Sequence, residues 1–272
     1  MRRAPAPAKL NLALVVGPER PDGKHEVATI LQRIDLGDRV ALAAAAALAV
    51  EGFAGDTLVR TALELLAERA GVEPRWRAIV TKRIPLAAGL GGGSSDAATA
   101  LRLANETLDA PFDAVALHAL AAELGADVPF FLGDGPQLGR GDGSELEPLD
   151  LPQDYWVLLL LPHGAVKEST AEVYRGFDER DGAAGWPDRL ARFEQSLAAV
   201  RRPRDLGALP PNDLAGSPLT AELRALGAFR ADVSGAGPAV YALFHHRRTA
   251  EAARRVLAPR GRTWLTVPTW YG

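Results

Sequence analysis

The chain of 272 residues is 47% hydrophobic and 24% charged, enough apolar material to bury a sizeable core as two domains or one large one, and not the composition of a disordered segment. Its 31 lysines and arginines against 34 acidic residues leave a net charge of −3 with no long basic run, which argues against nucleic acid as a partner. With no cysteine there is no disulfide, thiolate metal site or cysteine nucleophile, and the composition fits a reducing, cytoplasmic setting.

At the amino end, Pro5, Pro7 and Lys9 interrupt any apolar targeting segment. Residues 8–14 alternate with period two. They predict a half-buried strand with Leu10, Leu12 and Leu14 on the core face and Lys9 and Asn11 together on the other. Taken alone, such a strand simply solvates its polar side. The segment Arg20-Pro21-Asp22-Gly23-Lys24-His25-Glu26 predicts a turn, in which a histidine is ordinarily a solvated side chain, and residues 27–34 predict a second strand. The alanine-rich apolar run at 41–50 has ten residues, too few to span a bilayer, so no membrane is expected. It predicts the end of a strand with a short hairpin. Residues 57–70 place Leu58, Ala62, Leu65, Leu66 and Ala70 near helical spacing and close at Gly71, and residues 77–86 predict a strand.

That strand feeds the stretch with the strongest signal, Pro85-Leu86-Ala87-Ala88-Gly89-Leu90-Gly91-Gly92-Gly93-Ser94-Ser95-Asp96-Ala97-Ala98. Four glycines in five positions let the backbone approach a bulky ligand and take positive φ where needed. Ser94, Ser95 and Asp96 suit the start of a helix over 97–108, because their oxygens can accept first-turn amide hydrogens. A glycine loop running into a helix N-terminus presents clustered N–H donors and a positive dipole end, which favours phosphate. No lysine lies in the loop, so it is not a Walker P-loop. Ser94 stands where a dinucleotide fingerprint needs its third glycine, which counts against a Rossmann oxidoreductase. A plain flexible turn is the bland alternative, but linkers seldom run from an apolar strand straight into a helix.

Residues 114–124 predict a helix ending at Gly125-Ala126-Asp127-Val128-Pro129, where an acid is ordinarily a turn or cap residue. Glycines at 133, 135, 139, 141 and 143 predict tight turns around a short strand, and Pro148 with Pro152 predicts a boundary separating 1–150 from 151–272. Beyond it come a strand at 156–161 and a helix opened by the capping-box pair Ser169 and Glu172, on which Tyr174 is by base rate a packing residue. A surface loop at 182–185 follows. Asn212-Asp213-Leu214 reads as a cap before a helix at 217–226. Residues 231–244 predict strand, glycine turn and strand, and a helix at 249–257 and a strand at 262–267 close the chain. The irregular order favours α+β over a doubly wound α/β fold.

The run from Pro85 to Ala98 is similar to the second motif of the GHMP kinases, Pro7-Ala8-Lys9-Leu10-Asn11-Leu12 resembles the first, and Ser234-Gly235-Ala236-Gly237 resembles the third. The likeness covers nearly the whole chain and leans to the branch acting on a cytidine-diphosphate-linked methylerythritol. It implies a ribosomal protein S5 domain 2-like N-terminal domain (1–150) and a ferredoxin-like C-terminal domain (151–272) with the site between them. It implies ATP and Mg²⁺ as cofactors, with the metal ligands left open and Ser95 a candidate contact. The implied reaction carries the γ-phosphate of ATP to the substrate's 2-hydroxyl in non-mevalonate isoprenoid precursor synthesis. By the same resemblance Asp127 is the base and Lys9 the catalytic cation, while Asn11 orients the acceptor, His25 hydrogen-bonds the cytosine and Tyr174 stacks on it. Pro85, Leu86, Ala87, Ala88, Gly89, Leu90, Gly91, Gly92, Gly93, Ser94 and Ser95 would hold the nucleotide. Two positions depart from the family: Lys24 replaces a stacking tyrosine, and Asp56 an adenine-side asparagine. The partner is a small molecule and the protein a monomer or homodimer. A mevalonate or homoserine kinase of the same family, or a nucleotide or sugar sensor, are the competing readings; a sensor would have lost Lys9 or Asp127, and both are present.

Overall fold

A computed structural model describes residues 1–53, 57–166 and 169–269. It opens with two long strands, β1 (Arg2–Glu19) and β2 (His25–Ala44), paired antiparallel around a turn in which the Lys24 amide donates to Asp22 Oδ1 over 3.0 Å. The period-two pattern of β1 breaks in the middle. Asn11 lies opposite Leu31, but Ala13 lies opposite Ile30, so Leu12 is an extra residue. A one-residue insertion exchanges the faces of everything beyond it. Leu10 and Leu12 therefore pack with Ala13 and Val15, while Leu14 joins Val16 and Val27 on the side of Lys9 and Asn11. The common face expected for Leu10, Leu12 and Leu14 is corrected accordingly.

The hairpin expected within 41–50 does not form. The short β3 (Ala49–Glu51) leads into α1 (Thr57–Ala70), and the chain returns as β4 (Trp76–Thr81), which runs parallel to β3 and antiparallel to β2. The returning strand thus lies between the two segments that a hairpin would have paired. With β5 (Gln137–Arg140) and β6 (Glu145–Pro148) the first sheet has the order β3-β4-β2-β5-β6, with β1 paired along β2. Helices α1, α2 (Gly92–Asn105) and α3 (Ala114–Leu124) cover this sheet, burying Leu63, Leu66, Leu101 and Leu120 against Val40, Leu42 and Val80.

The rest of the chain, which also carries α4 (Thr170–Glu179) and α5 (Trp186–Ala198), forms a second, antiparallel sheet. Its strands, β7 (Trp156–Pro162), β8 (Arg230–Val233), β9 (Val240–Phe244) and β10 (Gly261–Thr266), lie in the order β10-β7-β9-β8 and are backed by α6 (Leu219–Ala225) and α7 (Arg247–Leu257). One apolar cluster joins the halves: Leu12 and Ile30 from the first sheet, Val157, Leu159 and Tyr241 from the second, and Phe193 of α5. The polar face of β1 is left at the edge of that shared core, where a cleft opens.

Candidate active site

The approach to the glycine loop begins where β4 leaves the sheet after Thr81, five residues sooner than the strand predicted over 77–86. Asp38, buried on β2, accepts the amides of Arg83 at 2.5 Å and Ile84 at 2.8 Å and so draws the chain off the sheet edge. The loop is then clamped from two sides. The Lys9 amide donates to the Leu90 carbonyl at 2.9 Å, the Ala239 amide to the Ala88 carbonyl at 3.1 Å, and the Ser234 hydroxyl to the Gly89 carbonyl at 3.0 Å. A Cβ on Gly89 would lie 2.3 Å from the Ser234 carbonyl oxygen, so this close approach requires glycine. Ala87 adopts φ 54, a left-handed conformation that costs a non-glycine residue about 1–2 kcal/mol.

Helix α2 starts earlier than its polar residues suggest. Gly91, at φ 69, occupies the cap position and no side chain caps the helix. Ser94, Ser95 and Asp96 therefore fall inside the first turns and do not cap them. Pro85 through Ser94 line a cleft of about 700 Å³, and the first-turn backbone of α2 faces it as an anion cradle. Ser95 is buried behind this wall, its amide bonded to the Gly91 carbonyl at 2.9 Å, so the hydroxyl expected near a metal does not face the cleft.

Lys9 and Asn11 project into the cleft from β1, and the turn after α3 brings Asp127 to meet them. Lys9 Nζ donates to Asn11 Oδ1 at 2.7 Å and lies 3.2 Å from Asp127 Oδ2. The lysine side chain is 5% exposed and the aspartate 41%, so the amine is sheathed and the carboxylate is open. Beside the cradle, Lys82 Nζ lies 2.6 Å from both Asp38 Oδ2 and Asp96 Oδ2. Burial would lower its pKa, but bonds to the two carboxylates outweigh it and hold the ammonium above its ordinary value. Asn212 does not act as the expected cap: its Nδ2 donates to the carbonyls of Val233 and Gly235 at 3.0 and 2.7 Å, fixing the turn whose Gly235 and Ala236 form the opposite wall.

At the far end, α4 closes over His25. The His25 Nε2 lies 2.8 Å from Asp178 Oδ1, the Tyr174 ring lies against it at a 31° tilt with centroids 4.8 Å apart, and Phe177 meets it edge-on at 5.9 Å. Tyr174 lines the cleft and His25 sits behind it. Burial pushes the Tyr174 hydroxyl up to about 12, reinforced by the Asp127 and Asp142 charges. Lys24 reaches Asp142 Oδ2 at 2.5 Å, and it is Asp142 that faces the cleft. Burial would raise the Asp142 carboxyl, but bonds from Lys24 and Ser144 hold it at about 2. Asp56 lies outside the described residues.

The sequence reading gave Asp96 only a helix-start role and missed Thr29, Asp38, Lys82, Asp142 and Asp178. Thr29 had a signal, a lone hydroxyl within the apolar 27–34 strand, and so did Lys82, a cation at the end of the strand that feeds the loop. The acids had none.

The architecture and cradle are those of the GHMP small-molecule kinases: models of the GHMP kinases N-terminal domain and GHMP kinases C-terminal domain match residues 56–135 and 217–261. A 4-diphosphocytidyl-2-C-methyl-D-erythritol kinase of Anaeromyxobacter sp. (strain Fw109-5) is 42% identical over 267 residues, covering 93% of this chain and 85% of its own length. The enzyme of that name from Geobacter sulfurreducens is 38% identical, covering 96% and 95%. A crystal structure of 4-(cytidine 5'-diphospho)-2C-methyl-D-erythritol kinase superposes with a TM-score of 0.78 at 32% identity, over 99% of this chain and 100% of that one. A mevalonate kinase superposes equally well, at 0.78, but with 13% identity, a likeness of fold alone. The chain belongs to the 4-diphosphocytidyl-2-C-methyl-D-erythritol kinase family.

Proposed function

We propose that the chain transfers the γ-phosphate of ATP to the 2-hydroxyl of 4-diphosphocytidyl-2-C-methyl-D-erythritol, a step of non-mevalonate isoprenoid precursor synthesis. The observation that carries this reading is the approach of Lys9 Nζ to 3.2 Å from Asp127 Oδ2 beside the glycine cradle. In the reaction, Asp127 accepts the proton of the 2-hydroxyl as its oxygen attacks the γ-phosphorus. The bond from that phosphorus to the bridging β-phosphate oxygen breaks, and ADP departs with the electron pair. Phosphoryl transfer depends mainly on alignment and charge stabilisation. The cradle amides hold the nucleotide phosphates, and Lys9 stabilises the developing negative charge. Tyr174 offers its ring to the cytosine, with His25 behind it. The N-terminal unit (1–150) and C-terminal unit (151–272) supply opposite walls.

Among the described residues no three His, Cys, Asp or Glu side chains converge as a metal site. Magnesium would fit here as an ion ligated mainly by ATP phosphates and water, with the Ser94 hydroxyl beside the cradle as an oxygen donor from the chain; it would offset phosphate charge.

The test is coupled ADP release with the cytidyl substrate in parallel with mevalonate, homoserine and galactose. Turnover confined to the first supports the reading, and turnover confined to any other overturns it. Asp127→Ala is expected to lower kcat by about 10²–10⁴-fold with ATP affinity nearly unchanged.

A further inference from the structure

We infer that Thr29 is a positioning residue: its hydroxyl sets the orientation of the Asn11 amide, and that amide holds the Lys9 ammonium beside Asp127. The inference rests on the assignment of Lys9 to phosphoryl transfer above.

The backbone arranges the contact. The extra residue Leu12 shifts the pairing so that Thr29, opposite Leu14, comes within reach of both Asn11 and the Ala13 carbonyl. Thr29 Oγ1 lies 2.8 Å from the Ala13 carbonyl oxygen and 2.8 Å from Asn11 Nδ2. A carbonyl only accepts, so the single hydroxyl proton is committed to Ala13. Oγ1 can then only accept from Asn11, which must turn its NH₂ group toward Thr29. At the other end, Lys9 Nζ lies 2.7 Å from Asn11 and can only donate, so the amide must present its oxygen there. Both neighbours demand the same orientation. A flipped amide would set NH₂ against an ammonium and oxygen against an oxygen whose proton is already in use.

Lys9, Asn11 and Thr29 are all buried, so a lost partner is not readily replaced by bulk water. The chain of donors runs one way, from Lys9 through Asn11 and Thr29 to the Ala13 carbonyl. It occupies one ammonium hydrogen, Asp127 faces a second, and the third remains for the transferring phosphoryl group. Asn11 is thereby redefined. Its NH₂ is engaged with Thr29 and its oxygen with Lys9, so it acts on the reaction through the lysine and not by gripping the acceptor.

Thr29→Val keeps the side-chain shape and removes the hydroxyl, freeing the Asn11 amide to rotate. With the cytidyl substrate, kcat is expected to fall on the order of 10–100-fold while KM for ATP stays within about twofold. Thr29→Ser, which restores the hydroxyl, is expected to recover most of kcat. Thermal midpoint and ATP binding are measured on both variants to separate loss of fold from loss of alignment. If Thr29→Val does not fold, slow hydrogen exchange of the Asn11 side-chain NH₂, read by NMR in the unsubstituted protein and in Thr29→Ser, takes over the test. Fast exchange there overturns the inference. So does an undiminished kcat in a folded Thr29→Val. An unsubstituted protein that does not phosphorylate the cytidyl substrate sinks the kinase reading instead.

Discussion

The two ends of the cleft are held by different means. At the cradle end, positions are set by backbone and buried charge: loop carbonyls bonded to β1 and to the 234–239 turn, and Lys82 seated between Asp38 and Asp96. At the other end they are set by side chains meeting from distant segments, with Lys24 and Asp178 both about half exposed. A geometry fixed by backbone leaves few ways to be wrong, which suits in-line transfer. A site assembled from surface side chains can change composition without disturbing the chemistry. Lys24, which bonds Asp142 from an exposed turn, is a contact of that kind.

The sharpest way to break the contrast is at its stiffest point. Lys82→Met leaves Asp38 and Asp96 facing each other in the core without their shared cation. Removing one partner of a buried ion pair costs about 3–5 kcal/mol, so urea unfolding should register a loss of that size. A loss below about 1 kcal/mol would mean that the lysine does not balance those carboxylates.

A smaller effect separates two glycines of the cradle. A Cβ on Gly91, at φ +69, would lie 2.9 Å from both Lys9 Cγ and Phe131 Cζ, whereas one on Gly93 meets nothing within 4 Å. Gly91→Ala is expected to cost about 1–2 kcal/mol from the backbone alone and to displace Lys9. Gly93→Ala, inside a helix, is expected to be neutral or to stabilise by up to about 1 kcal/mol. Thermal midpoints of the two variants give the comparison directly, and equal losses would refute it.

The same contrast governs what can be read from the sequence. Helices α1 and α3 occupy the residues their apolar spacing predicts, and the glycine run lies where its composition says a ligand can approach, because these signals are local. Pairing register is not local. The bulge at Leu12 depends on β2 opposite, and the parallel β3–β4 pair depends on a helix crossing over. Cap chemistry misleads at α2 because Gly91 can take a left-handed conformation that the serines cannot take cheaply. The meeting of Lys9 and Asp127 is expected only through the family motifs; no periodicity links two segments so far apart. Asp178 is invisible for a simpler reason, since an acid on a partly exposed helix face is what any soluble helix carries.

The smallest effect tests the adjustable end, at Lys24 and Asp142. Asp142 titrates at about 2 in the folded chain, below the usual carboxylate range near 4. The unfolded chain binds the proton more readily, so folding gains stability from this group above about pH 4 and loses it as pH falls toward 2. Lys24→Ala removes one of the bonds holding that pKa down. Because Lys24 is 55% exposed, the pair is screened, and the variant should lose only about 0–1 kcal/mol at pH 7. The informative measurement is the urea midpoint followed from pH 7 down to 2 for both proteins. Above about pH 4 the curves should run parallel, and toward pH 2 they should converge, since Asp142 is then becoming neutral in the folded chain as well. A gap that persists unchanged to pH 2 would mean that Lys24 stabilises the turn by packing, and that the ion pair merely accompanies it.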